Sequence, residues 1–369
     1  MALAVIAGLV YTVYLALAVS GAYEEAQVPR DERGGWVINE QGTPVPISPE
    51  EVEQRLPDWG EDEPVNILLL GVDYREGDTE PARSDTLIVV RVDPATREVS
   101  MMSLPRDLWV YIPEVDRWDK VNAAFPVGES IEEGYGPSVT AQTVEYNFGI
   151  NVHYYMTIDF RGFRTVIDRL GGIIVDVEAP IKDDQYPTDE FGLTRAYFDT
   201  GLQTMDGESA LRFARTRHGD NDVARGQRQQ QVLMAVRTKA TTLDLIWDVQ
   251  TITGIVEDVG ESVRTDLEFN QMLALAQLGR GIDPANIRRV NLWEEGVLTE
   301  NVSEGLDDPF YFEADWERVY QLVQEYFPAQ TPEPIANATV GTSPDPAGLA
   351  PTDTVEAVDA DAPDLSVPI

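Results

Sequence analysis

The sequence predicts an α/β fold in which helices pack on a mixed central sheet, and three observations carry that expectation. Apolar runs of strand length recur at Val65–Leu70, Leu87–Val92 and Val99–Leu104, each bounded by turn or charged residues. From residue 137 onward, stretches of helical and strand character alternate. The punctuation agrees with the alternation: Asp159 stands where a helix N-cap belongs, and Gly171-Gly172 stands where that helix must stop.

Taken in order, residues 1–23 hold no charged side chain and are mostly Ala, Leu, Val, Ile and Tyr. About 20 such residues span a bilayer core, so this stretch reads as a membrane anchor or a signal sequence. Residues 24–64 are rich in Pro, Gly, Asp and Glu and read as a linker with little fixed structure, in which Trp36-Val37-Ile38 could dock locally. The packed body begins at residue 65. Its first strand runs into Gly71-Val72-Asp73, its second follows Arg83-Ser84-Asp85-Thr86, and its third ends at Pro105-Arg106-Asp107 after the turn Asp93-Pro94-Ala95-Thr96. Three successive strands thus carry an Asp or Arg near one end, and such ends can meet in the crevice where open α/β sheets bind ligands.

Beyond Lys120 the pattern predicts a helix from Pro137 to Phe148, a strand from Val152 to Ile158, a helix to Leu170 and a strand from Ile173 to Val177. Residues 180–200 read as a polar, irregular rim. A short helix is expected from Gly207 to Ala214, and a long one from Asp222 to Thr241 or beyond. Helical period continues through 243–292, with a strand at Ile287–Leu292, and Phe312, Trp316, Val319, Tyr320 and Val323 mark a final amphipathic helix. Residues 241–328 are therefore expected to form an extension packed on the body 65–240, and residues 329–369, made of Pro, Ala, Thr and scattered acids, a disordered tail.

Charge sharpens the functional reading. The chain has 65 acidic residues against 27 basic ones, a formal net charge of -38. Yet from Arg212 to Lys239 seven basic residues face only Asp220 and Asp222, a local balance of +5. Gathering Arg215, Arg217, Arg225 and Arg228 so closely in an acidic chain points to an anionic ligand, since dispersal would serve solubility better. Guanidinium forks match phosphate or carboxylate oxygens two at a time. A helix starting near Asp222 would place Arg225, Arg228 and Gln229 on one face of its first turns, where free backbone N–H groups and the helix dipole also favour anions. Val232, Leu233 and Val236 continue the helical period, so a phosphate head with an apolar tail suits the junction.

Several chemistries are poorly supplied. The chain has no cysteine and only His153 and His218, which leaves no Cys/His nucleophile or soft zinc site, and no Gly-rich phosphate loop of the Walker type occurs. A strongly acidic body also repels nucleic acid, so none is expected as a partner.

One set of motifs is specific in combination. GVDYR at 71–75, RSDT at 83–86, LPRD at 104–107, KVNAAF at 120–125, IDFRGF at 158–163, LGG at 170–172, MDGESALRFARTRH at 205–218 and DNDVARGQRQQ at 220–230 together resemble the LytR-CpsA-Psr family of the bacterial envelope. The resemblance implies a magnesium-dependent phosphotransferase at the outer membrane face, with 65–240 as its catalytic domain. Such an enzyme moves a glycopolymer phosphate from a polyprenyl-diphosphate carrier to a peptidoglycan sugar hydroxyl. It implies Asp73 and Asp85 as carboxylates at the metal and at proton transfer, with Arg106 as a third catalytic group. Arg83, Arg215, Arg217, Arg225 and Gln229 would join Arg106 in binding the diphosphate, with Arg75, Lys120 and Arg228 as further contacts. Taken by themselves, Asp73 and Asp85 also suit strand-end caps or partners of a nearby arginine. Hydrolysis of the diphosphate, or a non-catalytic lipid-phosphate module, are the alternative functions.

Overall fold

In a computed structural model the described residues are 35–38, 43–56, 63–74, 82–188, 192–216, 222–242, 262–268, 282–293, 295–301 and 310–328, with a few single positions between 271 and 279. The expected anchor at 1–23 and tail at 329–369 lie outside them, as do Arg75, Arg217 and His218. Among the described residues no helix is long and apolar enough to cross a membrane.

Where a linker was expected, the chain forms a hairpin of β1 (Gly35–Ile38) and β2 (Pro44–Ile47) and a short helix α1 (Pro49–Gln54). Composition hid this element because its order comes from docking: the backbone N–H of Trp36 donates to the buried Glu145 carboxylate at 3.1 Å, and the Trp36 ring meets Tyr146 edge-on.

The body is built on β3 (Val65–Val72), β4 (Ser84–Asp93) and β5 (Glu98–Leu104), an antiparallel meander. The hairpin of β6 (Trp109–Ile112) and β7 (Arg117–Lys120) follows, then α2 (Ala124–Ile131), α3 (Gly136–Phe148) and β8 (Tyr154–Asp159), which pairs parallel with β3. Helix α4 (Phe160–Arg169) starts where its cap was expected, Asp159 accepting from the Gly162 N–H at 2.7 Å, and ends before Gly171 and Gly172, both at positive φ.

Next come β9 (Ile173–Val177), β10 (Ile181–Pro187), β11 (Leu193–Phe198) and β12 (Gly201–Met205), then α5 (Gly207–Arg215) and α6 (Asp222–Thr242). The rim expected at 180–200 is thus an antiparallel pair, β10 with β11, and not irregular. Its inward positions include Asp183 beside Ile181 and Tyr186, and that carboxylate broke the apolar alternation by which strands are read. The chain closes with β13 (Val263–Thr265), β14 (Ile287–Asn291), β15 (Leu298–Glu300), β16 (Phe312–Ala314) and α7 (Trp316–Tyr326).

The central sheet has the order β13-β8-β3-β4-β5-β14 and is mixed, with β8 parallel to β3 and β14 parallel to β5. Both edge strands come from the 241–328 segment, so that segment completes the sheet. Alternate residues of the meander serve opposite faces. Ile67, Ile88, Val90 and Met101 join the core under α4, α5 and α6, while Leu68, Leu70, Val89 and Met102 join the core under α3 and α7. Burial on both faces is why these strands read as mostly apolar runs, interrupted by Asn66, Arg91, Ser100 and Ser103.

Helix α5 carries Arg215 and is held in register by close contact with α4. A Cβ added at Gly207 would lie 2.3 Å from the Arg164 carbonyl, and the Gly207 N–H donates to Asp168 at 2.7 Å. Gly207→Ala is therefore expected to cost about 3 kcal/mol through overpacking. A chemical-denaturation midpoint equal to the native protein's would show that the two helices can part freely.

Candidate active site

The antiparallel meander places the end of β3, the start of β4 and the end of β5 on one edge of the sheet, and this brings Asp73, Asp85 and Arg106 together. The β3–β4 register slips between Gly71 and Val72, which pair with Thr86 and Ser84, and the Asp73 N–H donates to the Arg83 carbonyl at 3.2 Å. All three side chains line one cavity of about 480 Å³, together with Arg215 from α5 and Arg225 and Gln229 from α6. The opposite walls are apolar, built by Leu69, Ile88, Met156, Ile158, Phe163 and Leu233. The lining thus combines three arginines, four aspartates (Asp73, Asp85, Asp159 and Asp183) and a larger apolar surface, so charged and greasy groups face the same space.

The polar end is organised by ion pairs. Arg106 Nη1 lies 2.6 Å from Asp85 Oδ1, and its Nε lies 3.1 Å from Asp107 Oδ2. Lys120 Nζ holds the other Asp107 oxygen at 2.8 Å. Arg215 bridges the two sides of the cavity: Nη2 is 3.4 Å from Asp73 Oδ2, Nη1 donates to the Tyr186 hydroxyl at 3.3 Å, and the guanidinium lies 4.0 Å from the Phe160 ring centre. A planar cation stacked on an aromatic face and fixed at both forks is preorganised for bound anions.

Burial pushes the Asp107 carboxyl up, but the hydrogen bond and charge of Lys120 and the charge of Arg106 outweigh it and hold the group below the usual carboxylate range. A depressed folded-state pKa stabilises the fold above the unfolded carboxylate value of about 4 and loses that contribution as pH falls through the lower folded value. Asp107→Asn is expected to flatten the acid side of the stability curve below about pH 4. Urea midpoints that drop as steeply with acid in the variant as in the native protein would contradict this. Burial pushes the carboxyl of Asp159, which lines the cavity, up despite its hydrogen bonds to the Gly162 N–H and Ser262, and burial likewise raises the phenol of Tyr186, the partner of Arg215.

Not every expected residue faces this cavity. Arg225 and Gln229 do, but Arg228 does not share their face: it is buried and donates from Nη2 to the Thr216 carbonyl at 2.5 Å, supporting the chain between α5 and α6. The spacing i, i+3, i+4 spreads side chains over more than 100° of arc, and α6 is rotated so that position i+3 turns toward α5. Lys120 acts through Asp107 and Arg83 is exposed, neither lining the cavity, while Arg75 and Arg217 lie outside the described residues.

The cavity also contains residues that the sequence did not single out. Asp183, 1% exposed, accepts from the Thr216 hydroxyl at 2.5 Å and from the Gln185 N–H at 2.9 Å, and lines the cavity with Asp159, Phe160 and Gln185. Phe160 lay inside the motif IDFRGF and could have been found there. Asp183 had no such signal, because its strand was read as irregular.

As metal donors, Asp73 and Asp85 supply the hard carboxylate oxygens that magnesium takes, and such an ion draws the rest of its shell from water and phosphate. Among the described residues no group of three or more His, Cys, Asp or Glu side chains gathers for a metal, so the donor set fits magnesium held jointly with a substrate and does not fit a closed structural site.

Comparison with known proteins agrees with this architecture. The LytR_cpsA_psr family matches residues 38–325. The chain is 37% identical over 220 residues to the polyisoprenyl-teichoic acid–peptidoglycan teichoic acid transferase TagU of Oceanobacillus iheyensis, covering 59% of this chain and 63% of that protein. It is 32% identical over 270 residues to TagV of Bacillus subtilis, covering 71% of this chain and 64% of that protein. The matched segments thus span less than two thirds of these relatives' length. Among solved structures, B. subtilis TagV superposes with a TM-score of 0.55 at 31% identity, covering 72% of this chain and 98% of that one. TagT bound to LIIa-WTA superposes with a TM-score of 0.56 at 26% identity, covering 74% and 92%. A match across most of the sequence, with the motif residues gathered in one cavity, shows that this chain belongs to the LytR-CpsA-Psr family.

Proposed function

We propose that this protein transfers a glycopolymer phosphate from a polyprenyl-diphosphate carrier to a peptidoglycan sugar hydroxyl. The observation that carries the reading is the cavity itself, where three arginines and four aspartates share one lining with aliphatic and aromatic side chains. The relatives named above are teichoic acid transferases by name, and one neighbouring structure is titled as holding LIIa-WTA.

In this reading the prenyl chain lies along the walls formed by Leu69, Met156, Phe163 and Leu233, and the diphosphate meets Arg106, Arg215, Arg225 and Gln229. The acceptor hydroxyl oxygen forms a new bond to the phosphorus that bears the glycopolymer. The bond from that phosphorus to the bridging oxygen breaks, and polyprenyl phosphate leaves with the bond's electron pair. The hydroxyl proton passes to a carboxylate, in this reading that of Asp73. The arginines stabilise charge on the non-bridging and departing oxygens, the term that dominates phosphoryl transfer. Magnesium, held by Asp85 with help from Asp73, would neutralise diphosphate charge when bound.

The same reading gives 1–23 the role of a membrane anchor, keeps the body outside the cytoplasm, keeps 65–240 as the catalytic core and leaves 329–369 as a disordered tail. The test is to incubate the full chain with magnesium, a polyprenyl-diphosphate glycan and peptidoglycan fragments. Polyprenyl monophosphate that forms only when the fragments are present supports transfer. Monophosphate formed equally without them would make the protein a hydrolase, and binding without turnover would make it a passive module.

A further inference from the structure

The β6–β7 hairpin begins three residues after Arg106, and its outer face is aromatic. Trp109 lies directly across from Lys120, and Tyr111 across from Trp118. Residues opposite each other in an antiparallel pair share a face, so these four project together while Val110 and Ile112 enter the core. The rings continue beyond the hairpin on both sides. Trp109 stacks on Tyr311 with centroids 4.6 Å apart and planes 29° apart. Tyr111 meets Trp118 at 5.9 Å and Tyr146 at 4.8 Å, and Tyr146 meets Trp36 at 5.0 Å. Trp36, Trp109, Tyr111, Trp118 and Tyr146 are each only half-buried. Such a row keeps part of each ring in water, where fully packed rings would stabilise the fold more.

Two features identify the occupant. The row is tied to the polar side of the cavity through ion pairs, because Lys120 on the same face grips Asp107, which also pairs with the cavity residue Arg106. Its polar rim is mainly acidic: Asp116 accepts from the Tyr111 hydroxyl, Asp119 pairs with Arg117 at 3.0 Å, and Glu114 accepts from the Tyr135 hydroxyl at 3.5 Å. Three carboxylates against Arg117 and Lys120 favour an uncharged ligand over the phosphate-bearing polymer at this surface. Carboxylates accept from sugar hydroxyls, and the apolar face of a pyranose ring stacks on an aromatic ring.

We propose that this aromatic row is a subsite for an uncharged polysaccharide strand, which lays successive sugar rings on Trp36, Tyr111, Trp118 and Trp109 and delivers a hydroxyl at the Arg106 end. The assignment of that strand as the acceptor rests on the transfer reading; the binding surface itself does not.

The test is calorimetric titration of the full chain with a hexamer of β-1,4-linked N-acetylglucosamine, alongside a separate titration with farnesyl diphosphate as a probe of the cavity. The native protein is expected to bind the hexamer. Trp118→Leu, which keeps apolar volume but loses the ring, is expected to bind it at least fivefold more weakly, and Trp118→Phe within twofold of native. Farnesyl diphosphate affinity is expected to stay unchanged in both. If Trp118→Leu loses both ligands, its fold is disturbed and Trp36→Leu, at the far end of the row, decides by the same criterion. No hexamer binding by the native protein, or hexamer affinity unchanged in the informative leucine variant, overturns the proposal. If the native chain fails to transfer but hexamer binding keeps its dependence on the ring, the transfer reading falls and the subsite stands.

Discussion

Replacing Arg106 by alanine is expected to lower the rate of transfer at saturating donor by about 10²–10³-fold, the size of effect seen when one preorganised donor to developing negative charge is lost. The reason lies in the position of the group. Arg106 is held by carboxylates on two sides, Asp85 at 2.6 Å and Asp107 at 3.1 Å, so it is fixed in place before any anion arrives. Its removal also leaves Asp85 beside the diphosphate without that neutralising partner. Arg106→Lys keeps a charge but not a fork able to hold both carboxylates, and is expected to recover only part of the loss. The measurement is single-turnover release of polyprenyl monophosphate. A rate within threefold of native for Arg106→Ala would remove this residue from the chemistry.

Arg215→Lys is expected to weaken binding of the lipid diphosphate by about 10–100-fold, from the loss of charge-assisted contacts worth roughly 1.5–3 kcal/mol. A lysine retains the charge, so a purely electrostatic role predicts little change. The geometry says otherwise, because the guanidinium reaches Asp73 and the Tyr186 hydroxyl at once while stacked 4.0 Å from Phe160. A single ammonium cannot reproduce that arrangement. Equal affinity of Arg215→Lys and native protein for a short-chain prenyl diphosphate would show that charge alone matters at this position.

Much of this arrangement could be read before any coordinates. The runs from Val65 and Leu87 are apolar at all but Asn66 and Arg91 because both sheet faces are covered, and that makes them legible as strands. Asp159 caps its helix at the position its side chain suggests, since capping is decided within four residues. Strand-end positions of Asp73, Asp85 and Arg106 followed from the turns between them. The 180–200 segment was not legible, because Asp183 points inward to meet Thr216, a partner 33 residues away that no local pattern announces. The edge strand β13 was missed for a related reason: three residues, Val263-Arg264-Thr265, are too few to show a period, and pairing with β8 makes them a strand.

What the sequence by itself determined was the local inventory: the reversal of charge between Arg212 and Lys239, the meander with charged residues at its ends, and the helix starts and stops. Those depend on interactions a few residues long, which the order of side chains encodes directly. Only the tertiary structure decided which of the cations act together. Antiparallel pairing of β3, β4 and β5 set Asp73, Asp85 and Arg106 on one edge, the packing of α5 on α4 aimed Arg215 across at Asp73, and the rotation of α6 turned Arg225 and Gln229 into the cavity while sending Arg228 to the Thr216 carbonyl. The rotation of a helix about its axis is fixed by everything packed against it, and that information is spread over the whole chain.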